Sequence, residues 1–125
     1  LKMKGRKLYE YAVTTVPALV RASLEKAQVT LREVRKILMH QANARMNGMI
    51  LKRLFSQAEI GDIPNGIMPM TISFLGNSSV ATIPTILDLI VRGQLDDQEL
   101  VRDDVVVFAA VGAGMNINSL VYRWP

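Results

Sequence analysis

The sequence contains no cysteine, and this absence excludes several kinds of chemistry at once. Without a thiol, the chain forms no disulfide, offers no thiolate to a metal and carries no cysteine nucleophile of its own. Histidine is almost as scarce, because His40 is the only one, and a single imidazole does not favour a zinc site. Aromatic residues make up only 6% of the chain and are not interleaved with the basic residues. No nucleic-acid partner is therefore expected.

Long apolar runs are also absent. The longest extends over seven residues, from Val105 to Val111, and a membrane-spanning helix needs roughly 20. No secretory signal pattern is present either, so the expectation is a cytoplasmic protein with no membrane partner. At 125 residues the chain is long enough for one domain, over residues 1–125. It begins Leu1-Lys2-Met3 without an initiator methionine, which predicts that it is cut from a larger protein.

Charge is distributed unevenly along the chain. Residues 1–53 carry 12 basic and three acidic side chains, a net charge of +9, whereas the remainder carries three basic and eight acidic, a net charge of −5. Such asymmetry indicates an acidic partner for the first half. The alternative interpretation is that these charged side chains lie on solvent-exposed helix faces and bind no partner.

Hydrophobic periodicity predicts an α/β domain with a mixed sheet. The predicted helices cover residues 7–28, a segment capped by Asn43, and a segment from Val80 that ends at Gly93. The predicted strands are residues 36–39, a weak strand at 67–72, residues 104–111 and residues 116–123. The last strand is expected to run antiparallel to the one before it, because only the turn Gly112-Ala113-Gly114 separates them.

Two short polar islands, His40-Gln41-Ala42-Asn43 and Gly76-Asn77-Ser78-Ser79, interrupt this apolar pattern. A lone histidine is often structural, and Gly-Asn is ordinary turn chemistry. Each island, however, is expected at the carboxyl end of a parallel strand, where open α/β sheets place their chemistry. The turn at Ala113 lies at the same edge. An imidazole, a carboxamide and backbone N–H groups together suit the stabilisation of negative charge on a carbonyl oxygen.

These segments resemble β-ketoacyl-acyl-carrier-protein synthase III, a family of the thiolase-like condensing enzymes. The resemblance rests on residues 40–45, residues 76–84 and residues 111–114, which match the family's motifs in order and spacing. It implies a layered α/β/α half of the thiolase-like fold. Its last strand is antiparallel, and its first edge strand lies outside this chain.

The resemblance also implies a Cys-His-Asn triad in which the cysteine belongs to an N-terminal half. His40 and Asn77 would be catalytic and would donate hydrogen bonds to a malonyl thioester as it becomes an enolate, which requires a ring N–H from His40. Asn43 would position the pantetheine arm, and the backbone N–H of Ala113 would share an oxyanion hole. Alanine is tolerable there if its φ stays negative. No metal or cofactor is expected, because CoA and phosphopantetheine thioesters are the substrates.

The same resemblance implies the binding partners of the protein. Arg45, Lys52 and Arg53 match basic positions that dock the acidic acyl-carrier protein, and acyl-CoA would be the other substrate. A free edge on the strand at residues 116–123 favours a homodimer. The segments 73–75 and 115–118 and Val111 depart from the family pattern around the acyl pocket. The alternatives are therefore a paralogous condensing enzyme of secondary metabolism or a non-catalytic carrier-protein-docking module. Without the cysteine, this chain alone is expected to be inactive.

Overall fold

In the computed structural model, which describes residues 4–125, a small mixed sheet lies between two layers of helices. The chain start at Leu1, on which the prediction of a cut rests, is outside the described residues. The helices are α1 (Gly5–Lys26), α2 (Ala44–Gln57), α3 (Ile72–Leu75) and α4 (Thr82–Val91). The strands are β1 (Val34–Met39), β2 (Val105–Gly112) and β3 (Asn116–Arg123). Within residues 4–125, no helix is long and apolar enough to cross a bilayer.

The sheet has the order β1-β2-β3. β1 and β2 are parallel, with Met39 opposite Ala109, and β2 and β3 are antiparallel, with Gly112 opposite Asn116. The predicted mixed sheet and its antiparallel last strand are therefore confirmed. Among the described residues no strand lies beyond β3, and Leu120 and Tyr122 on β3 are exposed.

Alternate side chains of the strands divide the core into two layers, as the pleat requires. Ile37, Met39 and Val107 are buried on the face that α1 and α2 cover. Leu38 and Val106 point the other way, where they pack with Ile86 and Ile90 of α4. The α/β/α layering expected from the sequence is thus confirmed.

The weak strand predicted at residues 67–72 is wrong. Only one of its carbonyls, that of Ile67, accepts a backbone N–H from β1, the N–H of Ile37 at 2.8 Å. Side chains bind the neighbouring carbonyls instead: Lys36 Nζ donates to Gly66 O and Gln41 Nε2 to Pro69 O, both at 2.9 Å. Pro69 has no N–H to donate to a ladder. The segment therefore lies along β1 without forming a strand and ends in the helical turn α3.

Asn43 caps α2 as predicted. Its side-chain Oδ1 accepts hydrogen bonds from the N–H groups of Arg45 at 2.9 Å and Met46 at 3.3 Å, and its own backbone is extended. These bonds satisfy two of the N–H groups that the first turn of a helix leaves free. The cap fixes where α2 begins, directly after the His40 island.

We expect Asn43→Ala to lower the free energy of unfolding by about 1 kcal/mol, because it removes this cap. Asn43→Ser is the matched control, since a serine hydroxyl can accept from the same N–H groups. Urea denaturation of both variants and the parent measures the difference. Equal stability of the two variants would show that the cap contributes nothing.

Candidate active site

His40 follows the last residue of β1 and is fixed by its backbone at both ends. Its N–H donates to Ala109 O at 3.1 Å, which continues the pairing of β1 with β2. Its carbonyl accepts from the side-chain Nδ2 of Asn47 at 3.1 Å. Asn47 is fully buried on the apolar face of α2, with Ile50 and Leu54. The histidine is therefore held between the sheet and the helix that follows it.

The imidazole ring of His40 connects the first polar island to the Ala113 turn. Nδ1 lies 3.3 Å from Val111 O, and Val111 stands two residues before Ala113. A carbonyl oxygen can only accept, so this bond requires the proton on Nδ1. In the neutral ring, Nε2 then carries the lone pair. Nε2 is buried and has no hydrogen-bond partner among residues 4–125.

Burial lowers the pKa of His40 below its ordinary value of 6.5, because a charged ring loses more hydration than a neutral one. A buried polar atom without a partner costs about 1–3 kcal/mol, and such an atom in a folded protein calls for a functional explanation. Among the described residues, four other buried side-chain atoms also lack a partner, namely Asn47 Oδ1, Thr82 Oγ1, Gln98 Oε1 and Ser119 Oγ. Of these five atoms, His40 Nε2 is the one that can bind and release a proton near neutral pH.

The chain segment before Asn77 differs from the one expected. Asn77 follows the helical turn α3 and Gly76, not a strand. Its side chain is exposed, and its Oδ1 accepts from Ser79 N–H at 2.8 Å. The amide Nδ2 is the donor group of this side chain and stays available. No hydrogen bond joins Asn77 to His40 within residues 4–125. The two islands are linked instead through Gln41, whose side chain holds residues 69–72.

The turn after β2 accommodates alanine at position 113. The left-handed conformations fall on Gly114, with φ of 77°, and on Met115, with φ of 55°, whereas Ala113 is not among the residues with positive φ. The condition under which alanine is tolerable is met. Asn116 Nδ2 donates to Ala113 O at 3.0 Å and closes the turn, so one departure from the family pattern has a structural role. The use of the Ala113 N–H in an oxyanion hole stays a prediction.

The three cations assigned to docking lie exposed on α2. Arg53 donates to the hydroxyl of Thr14 on α1 at 3.1 Å. Within residues 4–125, none of Arg45, Lys52 and Arg53 forms an ion pair with a carboxylate, because the pairs present involve Arg6, Arg35 and Arg92. Their charge is therefore not neutralised by this part of the chain.

One cavity among the described residues lies away from His40, Asn77 and Ala113. Its volume is about 390 Å³, and its lining includes Gly93, Gln98 and Trp124, at the edge where β2 begins. A smaller cavity of about 120 Å³ lies between α4 and the sheet, against Ala109, Ala110 and Ser119. The described residues contain no cluster of metal-ligating side chains.

Sequence reasoning missed the roles of Gln41 and Asn47. Gln41 appeared only as a letter of a motif, and its burial is not visible in the sequence. Asn47 did leave a signal, since it stands three residues before Ile50 and seven before Leu54, on the buried stripe of α2. A polar residue on an apolar stripe indicates a buried hydrogen bond.

Comparison with solved structures defines the class of fold. The chain matches β-ketoacyl-acyl-carrier-protein synthase III from Thermus thermophilus with a TM-score of 0.81 and 26% identity, over 99% of this chain and 35% of that one. It also matches 3-oxoacyl-acyl-carrier-protein synthase III from Aquifex aeolicus with a TM-score of 0.77 and 31% identity. That match covers 98% of this chain and 36% of the Aquifex chain. The fold is thus that of the thiolase-like condensing enzymes.

Sequence comparison identifies the family within that class. Residues 24–124 match the family model described as 3-oxoacyl-[acyl-carrier-protein] synthase III C terminal. The chain is 31% identical over 124 residues to the β-ketoacyl-acyl-carrier-protein synthase III of Prochlorococcus marinus. The chain therefore belongs to the family of 3-oxoacyl-acyl-carrier-protein synthase III C-terminal domains. The matched region covers 99% of this chain but only 33% of that relative. This chain therefore spans about a third of the protein it matches.

We expect the single histidine to titrate below 6.5, with Nδ1 protonated in the neutral form. Since the unfolded chain then binds a proton more readily than the folded one, stability is lost as pH falls below 6.5 towards the folded pKa. Nitrogen-15 NMR of the His40 ring reads the tautomer and the pKa, and urea denaturation at pH 7.5 and 5.5 reads the stability.

His40→Gln is the control, because it removes the only side chain that ordinarily titrates in this window. The variant should lose less stability between the two pH values than the parent. A pKa at or above 6.5, or a neutral ring protonated on Nε2, would contradict the environment described for His40.

Proposed function

We propose that this chain supplies the enolate-stabilising half of a β-ketoacyl-acyl-carrier-protein synthase III. The reaction is the decarboxylative Claisen condensation of an acyl-CoA with malonyl-acyl-carrier protein in fatty acid biosynthesis. The observation that carries the proposal is the buried, unpartnered Nε2 of His40 beside the Ala113 turn. It is supported by membership of the family and by the second donor, Asn77, on a loop tied to the histidine's own.

The chemistry divides between this chain and a cysteine outside these residues. The cysteine sulfur takes the acyl group from acyl-CoA and releases the CoA thiol. The malonyl thioester then loses CO₂, and the electron pair of the broken carbon–carbon bond forms an enolate. Its α-carbon bonds to the acyl carbonyl, and the cysteine thiolate leaves. The enolate oxygen carries the developing charge, and each well-placed donor to such an oxygen is worth about 3–4 kcal/mol.

The residues of this chain have distinct roles in that scheme. Asn77 Nδ2 and His40 Nε2 donate to the thioester oxygen, and the Ala113 N–H faces the acyl carbonyl oxygen. Because Val111 O selects the proton on Nδ1, Nε2 must take a proton from solvent before it can donate. The negative charge of the bound malonyl group, first on its carboxylate and then on the enolate, would favour that protonation. Asn43 stands at the start of α2, where it can contact the pantetheine arm.

Docking of the carrier protein is proposed for the exposed face of α2. Arg45, Lys52 and Arg53 offer positive charge that no carboxylate of the described residues neutralises, and an acidic protein is the complementary partner. A homodimer is proposed on the free edge of β3, where Leu120 and Tyr122 are exposed. The scheme needs no cofactor, and the cytoplasmic location stays a prediction.

A non-catalytic docking module is the second candidate, and the unpaired cations of α2 favour it equally. The two functions differ in whether His40 and Asn77 matter for chemistry. A paralogous enzyme with another acyl acceptor would share the decarboxylation step and differ in the substrate it accepts.

We expect His40→Ala and Asn77→Ala each to reduce malonyl decarboxylation by at least about 100-fold, since each removes a donor to the enolate oxygen. The variants are assayed in the protein as its gene encodes it, with release of CO₂ as the measurement. Transfer of the acyl group to the cysteine is the internal control and should persist. Undiminished decarboxylation in either variant would favour the docking module.

We expect Arg45→Glu to raise the KM for malonyl-acyl-carrier protein about fivefold and to leave the KM for acyl-CoA nearly unchanged. Arg102→Glu is the matched control, because Arg102 is an exposed cation outside α2. The difference should shrink in high salt, which screens exposed charges. Equal changes for both substrates, or for both variants, would count against docking on α2.

A further inference from the structure

We propose that Gln41 is a positioning residue that fixes the Asn77 loop relative to His40. The inference rests on the proposed function for its catalytic consequence. Its structural basis is independent of that function and lies in the contacts of one buried side chain.

Gln41 is 0% exposed, and both the oxygen and the nitrogen of its side-chain amide form hydrogen bonds. Nε2 donates to Pro69 O at 2.9 Å, and Oε1 accepts from the N–H groups of Thr71 at 2.8 Å and Ile72 at 3.0 Å. The hydroxyl of Thr71 lies 3.3 Å from the same oxygen. All the partners lie 28 to 31 residues along the chain, so these bonds join two separate loops.

Gln41 Oε1 caps α3 from outside the helix. The side chain of Thr71, the residue before α3, makes no capping bond. The N–H groups of Thr71 and Ile72 would be left free at this helical turn, and Gln41 satisfies both. The turn is then closed by Leu75 N–H to Thr71 O at 2.8 Å and Gly76 N–H to Ile72 O at 3.1 Å. Asn77 follows at once, so a cap at the start of the turn determines where Asn77 stands.

Little else holds this turn in place. α3 contains no buried residue, and Phe74 and Leu75 are 60% and 45% exposed. A four-residue helix without apolar packing is not stable by itself. At the other end, Gln41 follows His40, whose N–H and carbonyl are bound to Ala109 and Asn47. The amide therefore transmits the fixed position of His40 to the loop that carries Asn77.

Two substitutions separate the amide's contributions. Gln41→Met has a similar length and removes all of its hydrogen bonds. Gln41→Glu, when ionised, keeps an acceptor for the two N–H groups but cannot donate to Pro69 O. When protonated, it can make both kinds of bond. Relative to the parent at each pH, decarboxylation by Gln41→Glu should therefore recover as pH falls.

The first measurement tests the geometry without any reaction. We expect amide hydrogen exchange across residues 71–79 to be faster in Gln41→Met than in the parent. Val106→Ala is the control, because Val106 is 0% exposed in the other core layer and its truncation lowers stability without touching the loop. Unchanged exchange in Gln41→Met, or the same increase in Val106→Ala, would overturn the anchoring of the loop.

The second measurement tests the catalytic consequence in the protein as its gene encodes it. We expect Gln41→Met to slow decarboxylation about 100-fold, the loss that a misplacement near 1 Å can cause, with acyl transfer to the cysteine retained. In an Asn77→Ala background, Gln41→Met should cause little further loss, because it acts through Asn77. Additive losses, or full decarboxylation by Gln41→Met, would overturn the positioning role. If Asn77→Ala alone has no effect, the proposed function fails, and faster exchange across residues 71–79 still establishes the anchor.

Discussion

The parallel pairing of β1 with β2 is the constraint on which the site depends. Parallel strands end at the same edge, so His40 after β1 and Val111 near the end of β2 become neighbours although they are 71 residues apart. The antiparallel return into β3 then requires a tight turn at Ala113 beside them. One strand pairing thus brings an imidazole close to the turn that contains Ala113, on a scaffold whose two faces are covered by helices.

Several buried polar groups at this edge are paired, and the exceptions include one nitrogen of the only histidine. Gln41 and Asn47 are buried amides that bind backbone groups on both sides of the histidine. The ring Nδ1 has Val111 O, whereas Nε2 and the side-chain Oδ1 of Asn47 have no partner among residues 4–125. A buried imidazole nitrogen without a partner is a candidate position for a ligand to bind. The exposed Asn77 amide offers a second donor on a loop that the same network anchors.

Sequence patterns correctly predicted the helices and strands whose apolar residues form a regular pattern. They failed where side chains, and not a neighbouring strand, bind the backbone. α4 was predictable from its apolar periodicity, and β2 from its continuous apolar run. Residues 67–72 were assigned to a strand because they are apolar, yet Lys36 and Gln41 bind their carbonyls in place of a neighbouring strand. Those contacts span about 30 residues and leave no local signal. His40, Asn43 and Ala113 lie at element ends as expected, whereas the helical turn before Asn77 was not foreseen.

The central claim is that His40 and Asn77 act on the same oxygen atom. A crystal structure of the complete protein with a non-reactive malonyl thioester analogue tests it most directly. The account predicts one thioester oxygen within about 2.7–3.2 Å of both His40 Nε2 and Asn77 Nδ2, with Gln41 still bound to Thr71 and Ile72. An analogue whose carbonyl oxygen contacts neither side chain, or only one, would contradict it.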